Sequence, residues 1–162
     1  MRYFLDTEYN GWGGALLSLA LVPEDGAQEF YVTLDWTGTL EPWVETHVVP
    51  YLDVVPDALV SPRLDRERAA KTLSAWLVQE HELQALAAFP DPSTIEIIAD
   101  WPEDISQFCM LLLKGPGAMV EVPPLTFHFV ELPGFSTAAN SKVPHNALHD
   151  ARALRDHLLT LE

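Results

Sequence analysis

The chain opens on Met1-Arg2-Tyr3-Phe4-Leu5-Asp6-Thr7-Glu8, and this run constrains everything that follows. Residues 2–8 read as a β-strand, in which side chains two apart share a face. Phe4, Asp6 and Glu8 therefore project together, so two carboxylates converge where the pattern asks for core. Burying unpaired carboxylates costs several kcal/mol, and a bound divalent cation is one of the few things that removes that cost. Asp-x-Glu alone is a weak signal, because strand ends at a surface also produce it. It gains weight from the far end of the chain.

There Pro144-His145-Asn146 precedes an apolar stripe at helical spacing, made by Ala147, Ala151, Leu154, Leu158 and Leu161. Asn146 is the expected N-cap. Asp150 lies three residues after Ala147 and four before Leu154, so it points along the stripe instead of into water. His145 precedes the helix and can reach over its start. The plainer alternative for this segment by itself, and the less favoured one, is a terminal amphipathic helix with one stray aspartate.

A further carboxylate comes from the middle. Residues 94–99, introduced by Pro92, read as a short strand rich in β-branched residues. Residues 103–113 read as a helix ended by Gly115-Pro116. Asp104 sits one turn before Phe108, toward the packed side, and is preferred over Asp100 at the strand's end. Its plain structural role would be to complement the helix dipole.

In this order Asp6-x-Glu8, a central Asp104 and His145-x-x-x-x-Asp150 resemble the DEDDh branch of the DnaQ-like 3′→5′ exonucleases. The chain is most similar to the small bacterial exoribonucleases of the polyadenylate-specific RNase AS type, through residues 1–8, residues 43–52 (Trp43-Val44-Glu45-Thr46-His47-Val48-Val49-Pro50-Tyr51-Leu52) and residues 145–152. It departs from the expected pattern at Ala15, where a second-strand Glu is expected. It departs again at Trp101-Pro102-Glu103, where the wider superfamily carries Asn-x-x-Phe-Asp.

The resemblance implies a ribonuclease H-like α/β fold, with a mixed five-stranded central sheet flanked by helices, filling one domain over residues 1–162. It implies two Mg²⁺ or Mn²⁺ ions per site held by Asp6, Glu8, Asp104 and Asp150. His145 would be the general base, its ordinary pKa near 6.5 suiting proton transfer from water. It implies a single-stranded RNA 3′ end as substrate, nucleoside 5′-monophosphates as products, and a homodimer. The residues themselves leave open a DNA-directed exonuclease, or a nucleotide- or RNA-end-binding module without turnover.

Composition bounds these readings. Nine Lys plus Arg against 24 Asp plus Glu give a net charge of −15, which disfavours a protein gripping duplex nucleic acid through its phosphates. An enzyme engaging only the last nucleotides of a strand escapes that objection, because metal and stacking do most of the binding. Trp12, in the loop Asn10-Gly11-Trp12-Gly13-Gly14, and Trp101 are the candidate stackers. The single cysteine, the lack of a long apolar run and the lack of a leader pattern lead us to expect a cytoplasmic protein with no membrane partner.

The remaining expectations are coarse. Strands are expected over 15–22, 29–34 and 125–130, a short helix broken at Pro50 over 41–52, and a loop over 132–143. A longer helix over 64–83 should turn Ala69, Leu73, Trp76, Leu77 and Leu83 inward. Cys109 should be buried packing, His47 a packed or capping histidine with Trp43 one turn away, and His149 a solvated one.

Overall fold

The computed structural model describes residues 1–87 and 94–161. The elements are β1 (Arg2–Tyr9), β2 (Leu16–Pro23), β3 (Phe30–Thr33), α1 (Pro42–His47), α2 (Arg66–Ala87), β4 (Ile95–Ala99), α3 (Pro102–Leu112), β5 (Leu113–Gly115), β6 (Ala118–Met119), β7 (Leu125–Phe129), α4 (Thr137–Asn140) and α5 (Ala147–Thr160). Single 3₁₀ turns occupy Val49–Tyr51 and Asp57–Leu59. Pro92, the expected start signal for β4, lies outside the described residues.

Five strands form one mixed sheet in the order β3-β2-β1-β4-β7. The β1/β2 and β2/β3 pairs are antiparallel, and the β1/β4 and β4/β7 pairs are parallel. β1 is thus central, and its carboxyl end opens beside that of β4, where ligand sites of open α/β sheets lie. Alternation along β1 divides the core. Tyr3 and Leu5 pack with Leu19, Leu21, Leu73, Leu77, Ile97 and Phe108 beneath α2 and α3. On the other face α5 lays Ala147, Leu148 and Ala151 on Ala20, Val22 and Tyr31, and Leu154 on Phe4 and Ile98. Asp6 and Glu8 belong by register to this second face, and Thr7 to the first.

Asn146 caps α5 as expected, its Oδ1 accepting from the amides of Leu148 (3.1 Å) and His149 (3.3 Å). It also donates from Nδ2 to the Tyr51 carbonyl at 2.7 Å. That bond ties the helix start to the segment after α1.

Several local expectations are corrected. Leu83 is 48% exposed, because the inward row of α2 continues from Leu73 and Leu77 to Glu80 and Gln84. Those two polar residues meet the buried tip of Tyr3: its hydroxyl donates to Glu80 Oε2 at 2.7 Å and accepts from Gln84 Nε2 at 2.8 Å. Leu161 lies past the end of α5 and is exposed. Cys109 is exposed, since α3 turns Asp104, Phe108, Leu111 and Leu112 inward and Cys109 follows that row by one position. α3 stops at Leu112, and Gly115 belongs to a small β5–β6 hairpin. The stretch 132–143 contains α4, capped by Ser136 Oγ. His149 is half-buried, and its Nε2 donates to the Val54 carbonyl at 3.0 Å.

The Tyr3 network yields a stability prediction. Tyr3→Phe leaves the Glu80 carboxylate without its buried donor, so unfolding free energy should fall by about 1–3 kcal/mol. Urea denaturation should show a lower midpoint with an unchanged slope; an unchanged midpoint would show the network to be energetically idle.

Candidate active site

The acid cluster is built at the carboxyl end of β1. The β1/β2 register shifts between Glu8 and Tyr9, an irregularity that sharpens strand twist and re-aims neighbouring side chains. Asp6 is 8% exposed, Asp104 and Asp150 are 3% exposed, and Glu8 is half-buried. Together with Asp100 and His145 they line one cleft of about 550 Å³. Its opposite wall carries Phe129, Leu132, Phe135 and Ser136. No lysine or arginine is among its lining residues.

Each acid is held differently. Asp104, in the first turn of α3, accepts at Oδ1 from the Thr7 hydroxyl (2.6 Å) and the Thr7 amide (3.1 Å). That pins α3 to β1 directly between Asp6 and Glu8. Asp150, in the first turn of α5, accepts at Oδ2 from the His145 amide at 3.1 Å. Its Oδ1 is buried with no hydrogen bond of its own. His145 is the one non-glycine with positive φ among the described residues, at 61°. This sparsely populated backbone conformation turns the chain back over the start of α5. Ligand atoms of Glu8, His145 and Asp150 then lie within 4.8 Å of one another.

Electrostatics show how far this arrangement is from a self-sufficient one. Burial pushes Asp6 well above the ordinary carboxylate range, and Asp104, Asp150, Glu8 and Asp100 push it the same way. Burial does the same to Glu8, reinforced by Asp150 and Asp104. Asp104 is raised to about 7 by burial, against the pull of its Thr7 hydrogen bonds. Asp150 is raised to about 6 by burial, moderated by Ser141 and the His145 amide. Asp100 is raised by burial as well. Burial and the nearby His47 lower the pKa of His145, which keeps its imidazole neutral at pH 7. Glu8, His145 and Asp150 are close enough to share one ion, and the buried Asp6 and Asp104 beside them carry oxygen donors of the kind a hard divalent cation takes. The residues therefore fit the metal that the resemblance implies.

Asp6, Glu8, Asp104, Asp150 and His145 are thus all brought to one cleft, and Asp100 lines it too. Trp101 lines the acid cleft itself, whereas Trp12 does not. Both line an adjoining hollow of about 330 Å³ with Trp43, Glu8 and Glu103. Trp12 is 96% exposed and Trp101 57%. The Trp12 loop is nevertheless fixed: Gly13 N donates to Glu103 Oε1 (2.7 Å), and Asn10 bridges to Thr39 O and Glu41 N. A Cβ at Gly14 would sit 1.8 Å from the Asn10 carbonyl oxygen, so only glycine closes this turn. Thr7 and Trp43 are contributors that sequence reasoning missed. The Asp-Thr-Glu order offered a signal for the first, and the helical spacing of Trp43 from His47 for the second.

No family model and no curated protein matches this chain.

The proton affinities set a pH dependence. These carboxylates bind protons more tightly folded than in an unfolded chain, where they titrate near pH 4. Their stabilising contribution is therefore complete below about pH 4 and is lost as pH rises through 6–7. Metal-free protein should melt several degrees lower at pH 8 than at pH 5. Mg²⁺ or Mn²⁺ should restore the melting temperature at pH 8 and act little at pH 5, and Asp6→Asn should flatten both trends. Parallel melting curves with and without metal at every pH would contradict a cation site.

Proposed function

We propose that the chain is a divalent-metal-dependent 3′→5′ exoribonuclease with a ribonuclease H-like fold, of the DEDDh type it resembles. The observation that carries this reading is the convergence of Asp6, Glu8, Asp104 and Asp150 with His145 in one cleft free of basic side chains. The mixed sheet with helices on both faces is consistent with that fold. Polarity of cleavage and preference for RNA rest on the resemblance.

Asp6, Glu8, Asp104 and Asp150 would hold two Mg²⁺ or Mn²⁺ ions. Bound there, such ions supply the positive charge that stabilises the attacking and leaving oxygens of a phosphoryl displacement. The protein's own residues do the rest. Thr7 fixes one Asp104 oxygen, Oδ1, through its amide and hydroxyl. His145, neutral at pH 7 because burial lowers its pKa, accepts a proton from the attacking water. Trp12 and Trp101 offer π-faces beside Glu8, where unpaired bases of a single strand can stack without hydrogen-bond readout. An acidic cleft of this kind repels phosphate until metal is bound, so binding and turnover share one requirement. Assembly as a homodimer belongs to the same reading.

The test is degradation of a 5′-labelled single-stranded RNA and its DNA counterpart with Mg²⁺, Mn²⁺ or EDTA. A ladder shortening from the 3′ end, faster on RNA and abolished by EDTA, is expected. Asp6→Asn and Asp150→Asn should each lose several kcal/mol of barrier lowering, roughly 10³-fold or more in rate, while circular dichroism stays native. Full turnover by either variant would overturn the reading. Faster loss of the DNA would mark a DNA exonuclease, and nucleoside monophosphate binding without cleavage would mark a binding module.

A further inference from the structure

His145 raises a positioning problem that its own turn does not solve. Its backbone amide is committed to Asp150, but neither imidazole nitrogen has a hydrogen-bond partner among the described residues. A histidine that must meet a water at hydrogen-bond distance needs its ring fixed, and histidines at reacting centres are commonly oriented through the second ring nitrogen. Here a different contact is available. The Trp43 ring meets the His145 ring nearly edge-on, with centroids 4.8 Å apart and an interplanar angle of 82°, a favoured geometry for aromatic pairs.

Trp43 is itself held. It follows Pro42 in the first turn of α1, and His47, one turn later, stacks on it at 4.8 Å and 14°. The His47 Nδ1 donates to Trp43's own carbonyl at 2.9 Å. Yet Trp43 is not a core residue. It is 51% exposed, while Val44 is the buried residue of α1. The same segment continues to Tyr51 and Val54, whose carbonyls hold Asn146 and His149 on either side of the α5 start. Residues 43–54 contribute no carboxylate to the cleft, but they touch His145 and both of these neighbours.

We propose that Trp43 is a positioning residue that holds the His145 imidazole toward Glu8 and Asp150, with residues 43–54 acting as the brace for the histidine turn. This rests on the hydrolytic function proposed above. Trp43 acts through His145, so its removal costs turnover more than substrate affinity. It supplies no metal ligand, so metal binding is unaffected. Because half its surface is exposed and Val44 anchors the helix, the fold survives its truncation.

Two measurements test this, one independent of activity. In ¹H–¹³C spectra of the six histidines, with His145 assigned from the His145→Gln spectrum, Trp43→Ala should move the His145 and His47 ring signals and leave the other four in place. In steady-state hydrolysis of a 5′-labelled RNA hexamer, Trp43→Ala should lower kcat by about 10–10²-fold, the scale of a misplaced catalytic group. KM should stay within about threefold, a split that marks a loss confined to the transition state. Trp43→Phe, which keeps a ring in place, should recover most of kcat, and the Mn²⁺ affinity of both variants should match wild type. A raised KM with unchanged kcat would make Trp43 a substrate contact and overturn the proposal. So would an unmoved His145 signal, or equal losses in the alanine and phenylalanine variants. If the wild type moves the His145 signal on mutation but hydrolyses nothing, the contact stands and the nuclease reading fails.

Discussion

Mutual repulsion among buried carboxylates is the constraint around which this molecule is arranged. Asp6, Asp104 and Asp150 are nearly inaccessible to water, and Glu8 is half-buried beside them. Taking one carboxylate out of water is already costly, and neighbours of like sign raise that cost further. The chain meets it by drawing the acids from three elements: Asp6 and Glu8 from a central strand, and Asp104 and Asp150 from the first turns of two helices on opposite faces of the sheet. Helix first turns favour a negative side chain through their free amides and dipole, so Asp104 and Asp150 sit where the backbone best tolerates them. Asp6 has no such help and is the acid pushed upward by every other member of the cluster.

This distribution makes the geometry stiff. Thr7 faces away from Asp6 and Glu8 by strand alternation, and that lets its hydroxyl and amide seize Asp104 from the α3 side. On the α5 side, the left-handed turn at His145 brings its amide to Asp150, while Asn146 both caps the helix and grips Tyr51. Asp150 Oδ1 is among the buried side-chain atoms left without a hydrogen bond. A carboxylate oxygen left open beside other acids is compatible with a cation-binding function.

Much of this was legible in the sequence, for definite reasons. Strand alternation alone puts Asp6 and Glu8 on one face, and helical spacing alone turns Asp150 and Asp104 inward, because both patterns depend only on local geometry. Asn146 was readable as a cap because its side chain serves its own helix. What escaped reading were features set by distant partners. Glu80 and Gln84 took inward places that apolar periodicity would give to residues such as Leu83, because a tyrosine hydroxyl from β1 waits there. The contact of Trp43 with His145 joins positions about a hundred residues apart. Cys109 is exposed where packing was expected because Ile105, one turn before it in α3, is itself only half-buried. The β5–β6 hairpin was hidden behind a Gly-Pro signal that reads equally as a helix stop.

The acidic surface and the acidic cleft then have a common consequence. With 24 acids against nine basic residues, the chain has little long-range attraction for a polyanion, and its cleft has none of its own. Under the proposed function Trp12 and Trp101, at the adjoining hollow, would offer binding that charge repulsion leaves intact, since stacking on a base is indifferent to the phosphate behind it. Under the proposed function, such a surface would favour the unpaired end of a strand, where bases are free to leave their own stack, over a duplex, whose bases are paired and stacked. Positive charge brought in by divalent ions would be confined to one point, beside Glu8. On the proposed reading, selectivity for an end needs no dedicated end-recognition element: it would follow from a net-acidic protein that attracts a polyanion where its buried carboxylates have been neutralised.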